Sequence, residues 1–283
     1  MYKRSEGFFK GFDDINLFFQ VWAPAQSKGT VIITHGHGEH SESYHRLAEA
    51  FENDHWTIYG WDLRGHGRSE GRRGYAAHFD DYCKDYKLFL DMVLNERQVQ
   101  AGPVILLCHS MGGLIELKTI LRNPDLKYDG IVVSAPLLAL ALPVPAIKAK
   151  AASLLYHLWP QLTLGNELND SLLTSDPDVI REYQQDPLRH TRMSSGVFIG
   201  MLENWDYVRP RANEIKKPAL FIFPEHDPVC STPDGKQFFE KLGSKKKEIY
   251  IYPNAKHEAF NDVMRSTVFA DLKKFLDSFL ESK

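Results

Sequence analysis

The strongest restriction on the fold comes from a rhythm in the chain. Short apolar runs rich in Val, Ile, Tyr and Phe alternate with longer stretches of helical spacing. The runs are Val31–Thr34, Thr57–Trp61, Val104–Cys108, Ile131–Ser134, Ala219–Phe223 and Glu248–Tyr252. Unbroken apolar runs of this length suit strands covered on both faces. Helical patterns fall between them at Asp80–Arg97, Met111–Arg122 and Thr232–Leu242. A last one presents Val268, Phe269, Leu272, Phe275, Leu276 and Phe279 on a single face. Strands alternating with helices predict an α/β fold, with a mostly parallel sheet flanked by helices. Phe8-Phe9 and Leu17–Trp22 precede the rhythm and fit an antiparallel edge.

One interval breaks the pattern. The stretch between the Ile131 and Ala219 runs is too long for a single crossover. It carries helical spacing of its own, first in Val144, Ile147, Ala151, Leu154, Leu155, Leu158 and Trp159. More follows in Asp178–Tyr183 and Ser195–Trp205. The expected organisation is a core of residues 1–136 and 209–283 with a helical cap inserted at 137–208. The near-neutral balance (net charge −3) gives no reason to bind nucleic acid. Three scattered cysteines make no disulfide framework and suit a cytoplasmic location. The N-terminal stretch lacks the apolar core of a signal peptide. The longest near-apolar stretch, Ile131–Pro145, is too short to cross a bilayer.

The chemistry concentrates where the Val104 strand runs directly into the Met111 helix, with Ser110 at the join: Val104-Ile-Leu-Leu-Cys-His-Ser-Met-Gly-Gly-Leu114. A tight strand-to-helix turn exposes a serine hydroxyl at the carboxyl end of a sheet. Its strained backbone costs about 1–3 kcal/mol, so the neighbours must be small, as Gly112 and Gly113 are. The usual G-x-S-x-G has Cys108 in place of its first glycine here. In α/β-hydrolases an acid and then a histidine follow the serine, each after a strand. Asp227, beyond Ala219–Phe223, and His257, beyond Glu248–Tyr252, hold those places; Glu225 is the neighbouring acid. His257 would take the Ser110 proton while Asp227 fixes the imidazole tautomer. The His35-Gly36-His37 loop after the Val31 strand would supply a second oxyanion donor. The candidate donors are the backbone N–H groups of His37 and Met111.

HGHGEHSESYHRLAEAF, GWDLRGHGRSEG, CHSMGG, SAPLL and the Asp227 and His257 loops together resemble the monoacylglycerol lipase and lysophospholipase family of the α/β-hydrolase superfamily. The resemblance runs over nearly the whole chain, cap included. It implies a serine carboxylic-ester hydrolase acting on single-chain lipid esters through an acyl-serine intermediate, with no cofactor. The alternatives are a lysophospholipase or a general short- and medium-chain carboxylesterase. The resemblance further implies substrate contacts at Glu39, at Tyr183 in YQQDP, and at Phe260. Members of the family carry an arginine where this chain has Ser43, and a second histidine where it has Phe260; both positions face the leaving alcohol. The cap would form an apolar acyl tunnel and touch a membrane surface. A remoter reading takes His35, His37 and His40 as a metal cluster.

Overall fold

The computed structural model describes residues 2–96, 102–142, 152, 154–166 and 168–281. Eight strands form one sheet. They are β1 (Lys3–Lys10), β2 (Asn16–Ala23), β3 (Gly29–Thr34), β4 (Trp56–Trp61), β5 (Val104–His109), β6 (Gly130–Ser134), β9 (Ala219–Pro224) and β10 (Lys247–Tyr252). Their spatial order is β1-β2-β4-β3-β5-β6-β9-β10. The β1–β2 and β2–β4 pairs are antiparallel, and every later pair is parallel. The expected antiparallel edge is therefore present, and β1 is its exposed outer strand.

Period-two alternation sorts the strand side chains between two cores. Val31, Ile33, Ile105, Leu107, Val132, Leu220 and Ile222 face one side. There they meet α1 (His45–Ala50) and α8 (Arg265–Asp277). Ile32, Leu106, Cys108, Ile131, Val133, Phe221 and Phe223 face the other. There α2 (Phe79–Leu94), α3 (Met111–Arg122) and α7 (Thr232–Glu240) cover them. The central strands β3, β4, β5, β6 and β9 are buried at every position, which is why they read as continuous apolar runs.

The segment between β6 and β9 holds a small antiparallel pair, β7 (Thr163–Gly165) with β8 (Arg192–Ser194). It also holds α4 (Asp170–Leu173), α5 (Pro177–Gln185) and α6 (Ser195–Val208). The Asp176 carboxylate caps α5 by accepting from the Asp178 and Val179 N–H groups, and Pro177 occupies its first turn. Asp186-Pro187 ends the helix, because the residue before proline disfavours helical geometry. Val144, Ile147 and Ala151 of the expected apolar helix lie outside the described residues. Leu154, Leu158 and Trp159 are exposed, so this part of the face is not packed on the core.

Candidate active site

Ser110 joins β5 to α3 with φ 51° and ψ −119°, a left-handed conformation that costs a non-glycine residue energy. Hydrogen bonds fix the turn. Ser110 N–H donates to Ser134 O, and Ser110 O accepts from Gly113 and Leu137 N–H. The neighbours must be small for an identifiable reason. A Cβ on Gly112 would lie 2.3 and 2.4 Å from the carbonyl oxygens of Thr34 and His35 at the end of β3. Cys108 is accommodated because it points into the face under α3 and is fully buried there. Its sulfur would stand 3.8 Å from a Cβ at position 113, an ordinary contact.

Two loops bring their side chains to this serine. Asp227 follows β9; its Oδ1 accepts from Val229 N–H at 2.8 Å and Cys230 N–H at 3.1 Å. His257 follows β10. The Asp262 carboxylate accepts from the backbone N–H of Lys256, and the Leu173 carbonyl of α4 accepts from Glu258 N–H at 2.8 Å. The three side chains meet in line. His257 Nε2 is 2.9 Å from Ser110 Oγ, and His257 Nδ1 is 2.8 Å from Asp227 Oδ2. All three are buried, whereas Glu225 points to solvent.

Burial pushes the His257 pKa down. The Asp227 charge and hydrogen bond, with Glu258 behind them, outweigh it and raise the pKa above 6.5. For Asp227, burial works against the charge, and the pairing with His257 and the two backbone N–H groups overcome it, so its pKa falls. A buried hydroxyl, imidazole and carboxylate with these polarities can move a proton from oxygen to nitrogen and stabilise the resulting imidazolium.

Met111 N–H is at the N-terminus of α3, where no intrahelical acceptor exists. Neither this N–H nor that of His37 donates to a protein acceptor among the described residues. His37 stands on the loop after β3, its ring packed against the imidazoles of His66 and His190 at 5.3 and 5.5 Å. Burial, with His190 beside it, drives the ring down to a pKa of about 3.

The serine opens into a cavity of about 930 Å³. Leu137, Leu140, Leu155, Leu162, Met201 and Trp205 are among its walls, and they come from the β6–β9 segment. Glu39 and Tyr183 are also among the lining residues. Glu39 Oε1 accepts from Gly36 N–H at 2.5 Å and from Tyr44 OH at 3.3 Å. Tyr183 OH donates to Glu258 Oε2. Phe260 departs from expectation. The short helix Ala259–Asn261 turns it into the core, against Tyr44 and Phe269, and it does not reach the cavity.

The His35, His37 and His40 rings do not form a ligand set. Both His35 nitrogens are engaged by backbone, with Gly36 O at 2.6 Å and Leu63 N–H at 2.9 Å. His40 pairs with Asp186 at 2.7 Å. Among the described residues, the one group with metal-ligand spacing is Asp227, Cys230 and His257, which overlaps the hydrogen-bonded trio itself.

Sequence reasoning missed Arg189 and Glu258. Arg189 donates to Ser43 Oγ at 3.2 Å and to Glu258 Oε1 at 2.6 Å. Arg189 thus brings a guanidinium to Ser43 from the segment between β6 and β9. Its signal in the sequence was slight: an isolated charge pair, Arg189 three residues past Asp186 and Glu258 beside the histidine.

The sequence profile of the family described as "Serine aminopeptidase, S33" matches residues 25–264. The chain belongs to this family. This S33-family protein is a serine hydrolase with the α/β-hydrolase fold. It is 27% identical over 279 residues to the monoacylglycerol lipase of Mycolicibacterium smegmatis, covering 98% of each chain. The crystal structure of Paleococcus ferrophilus monoacylglycerol lipase superposes with a TM-score of 0.82 at 27% identity, over 99% of both chains. A soluble variant of Saccharomyces cerevisiae monoglyceride lipase, solved with a substrate analogue, gives a TM-score of 0.84 at 23% identity, over 99% of this chain and 94% of that one.

Proposed function

We propose that this hydrolase cleaves carboxylic esters of single-chain lipids of the monoacylglycerol type. The observation that carries the reading is the Ser110–His257–Asp227 hydrogen-bonded line opening into a large leucine-lined cavity. Ser110 Oγ attacks the ester carbonyl while His257 Nε2 takes its proton. The oxyanion of the tetrahedral intermediate lies between the His37 and Met111 N–H groups. Each such donor is worth about 2.7–4 kcal/mol in the transition state. The intermediate collapses, the C–O bond breaks, and His257 returns the proton to the leaving alcohol. Water, deprotonated by the same imidazole, then attacks the acyl-serine and releases the fatty acid. An apolar cavity contributes about 0.8 kcal/mol per buried CH₂ of an acyl chain, which favours a chain over a short substituent.

Residues 137–208 act as a cap that supplies most of the acyl wall. Leu142, Leu154, Leu158, Trp159 and Leu164 are more than half exposed around it and form the face that meets a lipid surface. No helix among the described residues is long and apolar enough to cross a membrane. Ester rather than peptide chemistry is favoured by the two buried carboxyls near the serine. Glu258 is already paired with Arg189, and Glu39 is driven toward its neutral form by burial and by the Glu258 charge. Neither offers a free charge to a substrate ammonium group.

The test is intact mass after exposure to a fluorophosphonate, on wild type and Ser110→Ala, followed by a panel of esters varied in chain length. One adduct on wild type alone, with hydrolysis rising from short to long chains, is expected. Folded wild type that takes no adduct, or hydrolysis indifferent to chain length, would overturn the reading.

A further inference from the structure

Ser110 and Asp227 have evident supports, and His257 does not. Ser110 sits where β5 meets α3, and Asp227 is held by two backbone N–H groups. His257 stands on irregular chain beyond β10, yet its two ring nitrogens must stay 2.9 and 2.8 Å from their partners. A displacement of about 1 Å in such a site costs about a hundredfold in rate. Three successive N–H groups show what holds the histidine. Lys256 N–H donates to the Asp262 carboxylate. His257 N–H donates to Leu172 O at 3.5 Å, and Glu258 N–H to Leu173 O at 2.8 Å. Both leucines end α4, in the segment between β6 and β9.

Asp262 joins the two sides. It is fully buried, between the short helix Ala259–Asn261 and α8. Its Oδ2 takes the Lys256 N–H. Its Oδ1 takes the N–H groups of Ser175 and Val263, each at 2.8 Å. Ser175 belongs to the link between α4 and α5. Its neighbour Thr174, also fully buried, donates its hydroxyl to Asn261 O at 3.0 Å. Arg265 adds an outer clamp, donating to Asp176 Oδ2 at 2.6 Å and to Asp262 O at 3.2 Å. Asp262, Thr174 and Ser175 are not among the residues that line the cavity. A carboxylate suits this spot because both of its oxygens accept. An amide has one accepting oxygen, and its NH₂ would face an N–H donor.

We infer that Asp262 is a positioning residue for His257, tying the histidine's loop to the cap at Thr174 and Ser175 so that the imidazole stays in line with Ser110 and Asp227. The inference rests on the Ser110–His257–Asp227 reading above and adds to it what holds the histidine. The cap is then part of the proton-transfer machinery as well as a wall of the cavity. If the α4–α5 end of the cap swung away, it would take the backbone on both sides of His257 with it.

The experiment follows the rate of fluorophosphonate adduct formation by intact mass, together with the final extent of labelling. The rate reads how well His257 activates Ser110 and requires no knowledge of the natural substrate. The extent reads the folded fraction, so a loss of fold and a loss of positioning separate. Asp262→Asn keeps the size of the side chain. With its oxygen on Ser175 and Val263, its NH₂ meets the Lys256 N–H. It should label to completion about tenfold more slowly than wild type. On a p-nitrophenyl ester, kcat should fall by the same factor with KM unchanged, because no residue that lines the cavity is altered. Thr174→Val keeps the shape of the cap residue and loses its bond to Asn261; it should slow labelling about threefold. Where Asp262→Asn does not fold, Thr174→Val carries the test alone. A folded variant of either kind that labels at the wild-type rate overturns the inference alone. So does one whose KM rises while kcat holds. A folded wild type that takes no adduct overturns the triad reading and the inference with it.

Discussion

Glu116 sits inside α3, directly behind the serine turn, and is fully buried. Tyr86 OH donates to its Oε2 at 2.8 Å, and no cation is paired with it among the described residues. Burial therefore lifts its pKa from 4.5 to about 8, with Tyr86 and Cys108 pulling weakly the other way. The folded protein holds this proton where the unfolded chain releases it. Stability from this group is thus full below pH 4.5 and is lost as pH rises toward 8. One pKa unit corresponds to about 1.4 kcal/mol, so the loss between pH 5 and pH 7 is about 2.5 kcal/mol. Glu116→Gln keeps the shape of the neutral carboxyl and cannot ionise. Any difference in hydrogen bonding between the two side chains is independent of pH, so it cancels when the gap between the proteins is followed across pH. The assay is urea denaturation of both proteins at half-unit steps from pH 5 to pH 7.5. The variant should gain on wild type by about 2.5 kcal/mol between pH 5 and pH 7, or about 5 °C in melting temperature. A gap that stays constant within about 0.5 kcal/mol would refute the claim that Glu116 is buried and protonated at neutral pH.

Three further outcomes follow from the site. Gly112→Ala would drive a methyl into the Thr34 and His35 carbonyls and displace the oxyanion loop; a stability loss of about 1–3 kcal/mol and a fall in kcat of about a hundredfold or more are expected from melting and ester-hydrolysis measurements. In wild type, kcat/KM should decline as pH falls through a His257 pKa above 6.5; in Asp227→Asn burial prevails, so the limb should move below 6.5 and the rate drop about 10⁴-fold, read from pH profiles of both proteins. Ser110→Gly relieves the φ of 51° that Ser110→Ala retains, so the glycine variant should be the more stable of the two inactive proteins by about 1–3 kcal/mol in chemical denaturation.

The sequence by itself determined the sheet, its helices and the order in which an acid and a histidine follow the serine. Strands such as Val104–His109 are buried on both faces, so apolar continuity marks them without knowledge of their neighbours. The serine turn is equally local: its strain and its need for Gly112 are properties of a few consecutive residues. Asp227 and His257 were legible because each follows a strand, and parallel strands deliver their carboxyl ends to one edge of the sheet. Other features had no local signature. Phe260 was assigned to the cavity from the family resemblance, yet a single turn of helix rotated it into the core against Tyr44 and Phe269. Arg189 bonds Ser43, 146 positions away, and Glu258, 69 away. A guanidinium four bonds from its backbone can be recruited by any carboxylate the fold brings near, and a protonated Glu39 is defined only by what surrounds it. Backbone geometry is written in runs of neighbours, whereas the charge state and pairing of buried polar groups exist only once distant segments have excluded the water between them.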